Sequence, residues 1–86
     1  MIDIQKLRES YEVILPPLIA RASIAHWTGN LYSANTMSAF DSRGIGVKNP
    51  TKIDNKKIAY NKEDLINWLV ERAEAANAKE AANGKQ

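Results

Sequence analysis

The stretch "RASIAHWTGNLYSANTMSAFDSRGIG", residues 21–46, contains two short helical patterns joined by a brief connection. In the first pattern, Ile24 and Trp27 lie three residues apart, so both side chains fall on one face of a helix. Gly29 follows them, and glycine commonly ends a helix in the left-handed conformation. We therefore predict a helix over residues 21–28.

A second helix is predicted to begin after Ser33, because a serine hydroxyl caps a helix N-terminus well. Met37 and Phe40 lie three residues apart on its apolar face, and Gly44 can close it as a left-handed cap. Two short helices with a brief connection, of which the second is small and polar, indicate a helix-turn-helix.

The segment "TKIDNKKIAY", residues 51–60, predicts a β-hairpin. Ile53 and Ile58 are strand-type apolar positions, and residues 54–57 supply a polar turn in which Asn55 can take a positive φ. The hairpin would form a two-stranded wing after the helix-turn-helix.

A final helix is predicted to begin at Asn61, which is a favourable N-cap residue. Leu65, Trp68 and Leu69 then fall on one face at helical spacing. After Val70 the sequence is rich in alanine, which favours helix locally but offers nothing to bury, so we expect it to fray well before Gln86.

One more amphipathic pattern predicts a helix over residues 3–13 that stops near Leu15, before two consecutive prolines. We expect Tyr11 and Ile14 to dock this helix on the core. It either provides a dimer contact or packs back onto its own core.

The sequence therefore predicts a mainly α fold with a small β-hairpin. This is a winged helix-turn-helix with an extra N-terminal helix and a C-terminal helix after the wing. Its three parts are an N-terminal helix (1–15), a winged helix-turn-helix domain (16–72) and an alanine-rich tail (73–86).

Positive charge is concentrated in one window of the chain. Residues 43–62 hold six basic residues and one acidic residue, a net charge of +5, whereas the whole chain carries +2. A local patch of this kind attracts polyanions whatever the net charge. The alternative is that scattered lysines only keep a loop soluble.

Composition and motifs argue against enzymes and metal sites. The chain has no cysteine and only one histidine, His26, so neither a zinc site nor a catalytic triad has enough partners. We expect no cofactor. No stretch is long and apolar enough to span a membrane, and the acidic start does not fit a signal peptide, so we expect a cytoplasmic protein.

The order of these motifs resembles the small winged helix-turn-helix DNA-binding proteins of the excisionase and MerR-like group. It is closest to short members associated with phages and integrative elements. Those members show an "LTGG" helix end, a "DSxGxGP" motif, an "IGRKVAY" wing and a "DL.AWL" helix. The matching segments here are "WTG" (27–29), "DSRGIG" (41–46), "IDNKKIAY" (53–60) and "DLINWL" (64–69).

This chain departs from the family pattern at three points. Asn30 stands where a second glycine is common, and Val47 holds the position of the usual proline. The wing turn at 54–57 is one residue longer than in the family and lacks its glycine.

The resemblance implies that the second helix enters the DNA major groove while the wing lies against phosphates or the minor groove. Asn35 is the best candidate for reading a base, because its amide can pair in bidentate fashion with adenine. Asp41 would repel DNA, so we expect it to face inward and cap or pair with a basic group. The implied DNA-binding residues are Ser33, Asn35, Thr36, Ser38, Ala39, Ser42 and Arg43 in the recognition helix, and Lys48, Lys52, Asn55, Lys56 and Lys57 in the wing and its flanks.

The expected function is sequence-specific binding of double-stranded DNA, as a transcriptional regulator or an excisionase-like factor of a mobile element. A homodimer or multimer on DNA and an integrase are the implied protein partners. Two alternatives stay open: a protein–protein interaction module on a winged-helix fold, or the small subunit of a phage DNA-packaging machine.

Overall fold

The computed structural model describes residues 2–54 and 56–83 of the chain. It is mainly helical with one small antiparallel sheet. In chain order the elements are α1 (Ile4–Ile14), β1 (Leu18–Ala20), a 3₁₀ turn (Arg21–Ser23), α2 (Ile24–Trp27), α3 (Ala34–Ser42), β2 (Thr51–Ile53), β3 (Lys57–Asn61) and α4 (Lys62–Asn83).

The sheet has three strands in the order β1-β3-β2, with both pairs antiparallel. The predicted hairpin is present as β2 and β3, but the prediction of two strands was incomplete. Pro16 and Pro17 hold the backbone extended after α1, so the chain enters β1 and pairs with the free edge of β3. Ile19 lies opposite Tyr60 in this pairing, and neither side chain is exposed.

The predicted capping residues of the later helices are confirmed. The Ser33 hydroxyl accepts a hydrogen bond from the amide of Thr36 at 3.1 Å, and the Asn61 side-chain oxygen accepts one from the amide of Glu63 at 2.9 Å. Gly44 follows the end of α3 with a φ of 74°, the left-handed conformation expected for a closing glycine.

A single apolar core joins the sheet to the helices. The apolar face of α4 covers one side of it, and Ile24 of α2 and Met37 of α3 are fully buried on another. The core residues are Leu15, Ile19, Ile24, Met37, Val47, Tyr60, Leu65, Ile66, Trp68, Leu69 and Val70.

Helix α1 packs along α4 of the same chain, which agrees with the second of its two expected roles. Tyr11 is half-buried and packs against the core. The expectation for Ile14 was wrong, because its side chain is 52% exposed. The backbone leaves the helix at Leu15, and this turns the Leu15 side chain inward instead.

The alanine-rich segment after Val70 is helical as far as Asn83. Two contacts support this part of α4. Ala73 is buried. The side-chain amide of Asn77 accepts a hydrogen bond from the backbone nitrogen of Ile2 at 2.9 Å and donates one to the Ile2 carbonyl oxygen at 2.8 Å. The packing of α1 therefore supports the alanine-rich part of α4.

Candidate nucleic-acid interface

Helix α3 presents one polar stripe to solvent. Asn35, Ser38, Ala39 and Ser42 are all exposed, and their spacing of three, four and seven residues places them on one helix face. Met37 is fully buried on the opposite face. The stripe consists of small, uncharged side chains, of which three can donate and accept hydrogen bonds.

The two predicted site residues at the start of α3 take part in its cap. The Ser33 hydroxyl accepts a hydrogen bond from the Thr36 amide, and it also lies 3.0 Å from the Thr36 hydroxyl. Thr36 is half-buried. At the other end, Arg43 is the C-cap residue and its side chain is exposed.

The lysines of the hairpin project from both of its faces. Lys52 pairs with Ile58 and Ile53 pairs with Lys57, and successive residues of a strand point to opposite faces. Lys52 therefore shares the core side of the sheet with Ile58, whereas Lys57 lies on the outer side with Ile53. All of these lysines are exposed, as are Lys48 and Lys56. Asn55 lies outside the described residues.

Most of the predicted site residues leave their polar groups unengaged. Within residues 2–54 and 56–83, none of these side chains forms a hydrogen bond or an ion pair: Asn35, Ser38, Ser42, Arg43, Lys48, Lys52, Lys56 and Lys57. Their donors and acceptors are therefore open to a ligand.

Asp41 is on α3 but does not face solvent with the polar stripe. It forms a salt bridge with Arg21 and accepts a hydrogen bond from the Tyr60 hydroxyl at 2.8 Å. Arg21 also donates from Nε to the Tyr60 hydroxyl, at 3.1 Å. The expectation that Asp41 turns inward and pairs with a basic group is confirmed. We call Arg21, Asp41 and Tyr60 the Asp41 triad; Tyr60 is buried, whereas Arg21 and Asp41 are half-buried.

The environment of the Asp41 triad shifts two pKa values. Burial is the main cause that raises the pKa of Tyr60 to about 12, and the hydrogen bond to Asp41 adds to it. The pKa of Arg21 is raised above its ordinary value, chiefly by its hydrogen bond to Tyr60. At neutral pH the triad therefore contains a neutral phenol and a charged guanidinium.

The segment after α3 is fitted closely around Asp41 and Trp68. The indole nitrogen of Trp68 donates to the Ile45 carbonyl oxygen at 3.0 Å. A Cβ atom at Gly46 would lie 2.0 Å from Oδ1 of Asp41, so only glycine fits there without movement. The two glycines thus serve different needs, since Gly44 has a positive φ and Gly46 does not.

Sequence reasoning missed the role of Arg72. Its guanidinium carbon lies 4.6 Å from the ring centre of Phe40 and 4.9 Å from that of Trp68, and its Nε donates to the Tyr32 hydroxyl at 3.1 Å. The cation–π contact with Phe40 joins α4 to α3, whereas the contact with Trp68 lies within α4. The available signal was that Arg72 lies four residues after Trp68 on the same face of the helix.

Within residues 2–54 and 56–83, no group of three or more histidine, cysteine or carboxylate side chains could hold a metal ion. His26 is exposed, and its ring makes an edge-on contact with the ring of Trp27, with the ring centres 4.8 Å apart. None of the helices described has the length and apolar character needed to cross a membrane.

Comparisons of the chain with protein-family models, with curated proteins and with solved structures found no significant match.

Proposed function

We propose that this protein binds double-stranded DNA as a winged helix-turn-helix protein, with α3 in the major groove and the β2–β3 hairpin beside it. The observation that carries the proposal is the exposed stripe of α3, whose polar groups have no partner in the described part of the chain. It lies next in sequence to a window with a net charge of +5.

The stripe is suited to a groove because its side chains are small. Asn35, Ser38 and Ser42 can each donate and accept hydrogen bonds, and the methyl group of Ala39 can touch the methyl group of a thymine. Because none of these side chains is bulky, the helix backbone can approach base edges closely. The acid of α3, Asp41, is paired with Arg21 and so does not add a repulsive charge to this face.

The lysines would provide affinity without sequence choice. Each lysine that neutralises a phosphate releases condensed counterions, so the affinity falls as salt rises. Because Lys52 and Lys57 project from opposite sides of the sheet, the hairpin can use only part of its charge on any one phosphate strand. The remaining lysines would act through the general positive potential of the region.

The resemblance to the excisionase and MerR-like group makes the proposal more specific. We propose a role in a mobile element, as a cytoplasmic transcriptional regulator or an excisionase-like factor. One domain of this size offers few base contacts, so tight binding requires two or more copies on the DNA.

A fluorescence anisotropy titration tests the proposal. Labelled duplex DNA of random sequence is titrated with the protein at several salt concentrations, from low to moderate. We expect the protein to bind. The logarithm of its association constant should fall linearly with the logarithm of the salt concentration, with a slope of about −0.9 for each phosphate neutralised. Absence of binding at low salt, or binding that does not respond to salt, would contradict the proposal.

A second candidate function is protein binding, which one observation favours. An open groove of about 830 Å³ runs between α4 and residues 44–48, and it contains aromatic side chains and charges of both signs. Among its lining residues are Tyr32, Lys48, Trp68, Glu71 and Arg72. A stoichiometric protein partner that co-purifies with a chain unable to bind DNA would favour this function.

A further inference from the structure

Three elements meet at one carboxylate oxygen of α3. Oδ2 of Asp41 accepts a hydrogen bond from Nη2 of Arg21, in the turn before α2, and another from the Tyr60 hydroxyl, in the central strand. Tyr60 is fully buried, so its ring is held by the core on all sides. Through Asp41, the candidate recognition helix is therefore attached directly to a strand of the candidate wing.

We infer that Asp41 is a positioning residue, which fixes the orientation of α3 relative to the β2–β3 hairpin and so sets how well the protein discriminates between DNA sequences. This inference rests on the proposed function, which assigns α3 and the hairpin to the same DNA molecule. Asp41 itself touches no base in this arrangement.

The geometry of the Asp41 triad suits positioning because hydrogen bonds are directional and apolar contacts are not. Arg21 uses Nη2 for Asp41 and Nε for Tyr60, so its planar guanidinium holds both acceptors at once. Rotation of α3 about its axis would move Asp41 away from both donors together.

The segment that follows α3 adds a second constraint on the same side chain. Gly46 lies so close to Asp41 that the carboxylate fills the space of the missing side chain. Tyr60 holds one carboxylate oxygen, and the other faces the backbone of Gly46. The Asp41 side chain is therefore hydrogen-bonded at Oδ2 and lies close to Gly46 at Oδ1.

The chain contains a matched control for this inference. Arg72 donates from Nε to the Tyr32 hydroxyl at 3.1 Å, and Arg21 donates from Nε to the Tyr60 hydroxyl at the same distance. Tyr60→Phe and Tyr32→Phe therefore each remove a phenolic hydroxyl that accepts a hydrogen bond from an arginine Nε. Only Tyr60→Phe breaks a bond between α3 and the hairpin.

The first experiment measures discrimination. A preferred duplex is selected from a random pool with the wild-type protein, and anisotropy then gives the affinities of each variant for that duplex and for a scrambled one. We expect Tyr60→Phe to lower the ratio of the two affinities about fivefold, the size of the one lost hydrogen bond that joins α3 to the hairpin, and Tyr32→Phe to leave the ratio unchanged. Equal ratios in both variants would overturn the inference, since the triad would then only stabilise the fold.

The second experiment needs no DNA and separates this inference from the proposed function. Residual dipolar couplings of backbone amides report the orientation of α3 relative to the hairpin. We expect one fixed orientation to fit the couplings of the wild type and of Tyr32→Phe, but not those of Tyr60→Phe. If the protein fails to bind DNA, the proposed function is wrong. These couplings would still test whether Asp41 positions α3.

Discussion

Gly46 lies against the side chain of Asp41, so that a Cβ atom at position 46 would be only 2.0 Å from the carboxylate oxygen Oδ1. The glycine two residues earlier has no such neighbour, since a Cβ atom at Gly44 would meet nothing within 4 Å. Gly44 is instead required by its φ of 74°. The two glycines of the "DSRGIG" motif therefore have different physical causes.

This difference predicts two separable effects on stability. Gly44→Ala should destabilise the protein by about 1–2 kcal/mol through backbone strain, and Gly46→Ala by about 1–3 kcal/mol through overpacking against Asp41. In an Asp41→Ala background the cost of Gly46→Ala should shrink, whereas the cost of Gly44→Ala should stay the same. Urea denaturation of the single and double variants measures these costs, and equal costs of Gly46→Ala in both backgrounds would refute the assignment.

Removal of one hairpin lysine should weaken the binding of every DNA sequence alike. Lys57→Gln is expected to lower affinity for preferred and scrambled duplexes equally and to reduce the magnitude of the salt slope by about 0.9, the value for one phosphate contact. Lys6→Gln makes the same charge change on the exposed face of α1 and is the control. Equal losses from both substitutions would show that only net charge matters.

Asn35→Ala should chiefly change which DNA sequence is preferred. The Asn35 amide is exposed at the start of the polar stripe and can form a bidentate pair with adenine, so its loss should reduce discrimination at one base pair by about 1–3 kcal/mol. Selection from a random duplex pool measures this change. Gln5→Ala removes an exposed amide from α1 and should not alter the selected sequence.

Stability should depend on the ionisation of Tyr60 at alkaline pH. Its pKa is about 12 in the folded protein and 10.0 ordinarily, so the folded protein holds the phenolic proton more tightly than the unfolded chain does. This contribution to stability is fully present below pH 10 and is lost as pH rises from about 10 to about 12.

The matching measurement is urea denaturation at about pH 9 and about pH 11, which lie on either side of the ordinary tyrosine pKa. The wild type should lose more stability between these two values than Tyr60→Phe does. Tyr32→Phe retains Tyr60, so it should lose as much stability between the two pH values as the wild type does. If the wild type and Tyr60→Phe lose the same amount, the ionisation of Tyr60 is not linked to folding.

Sequence reasoning succeeded where the causes are local. The caps at Ser33, Gly44 and Asn61 follow from side-chain and backbone chemistry within three residues, and the structure contains all three. The buried positions of Met37 and Trp68 also follow from helical spacing alone.

It failed where a segment depends on a distant partner. Residues 18–20 have no strand-like alternation of their own, and they form β1 because β3, about 40 residues later, offers a free edge. The same holds for the end of α4, which is too rich in alanine to predict as packed without knowing that α1 lies against it. The inward direction of Asp41 could be expected from its charge, but its partners Arg21 and Tyr60 could not.

The exposed stripe of α3 is uncharged, whereas the charge of this region lies on residues outside the stripe. In the proposed complex, the preference for one DNA sequence over another would therefore stay nearly constant as salt increases, even while the affinity for all sequences falls. Target choice and binding strength would then be able to evolve separately. Substitutions in the stripe would redirect the protein to new sites, and gain or loss of hairpin lysines would adjust its occupancy at the ionic strength of its host.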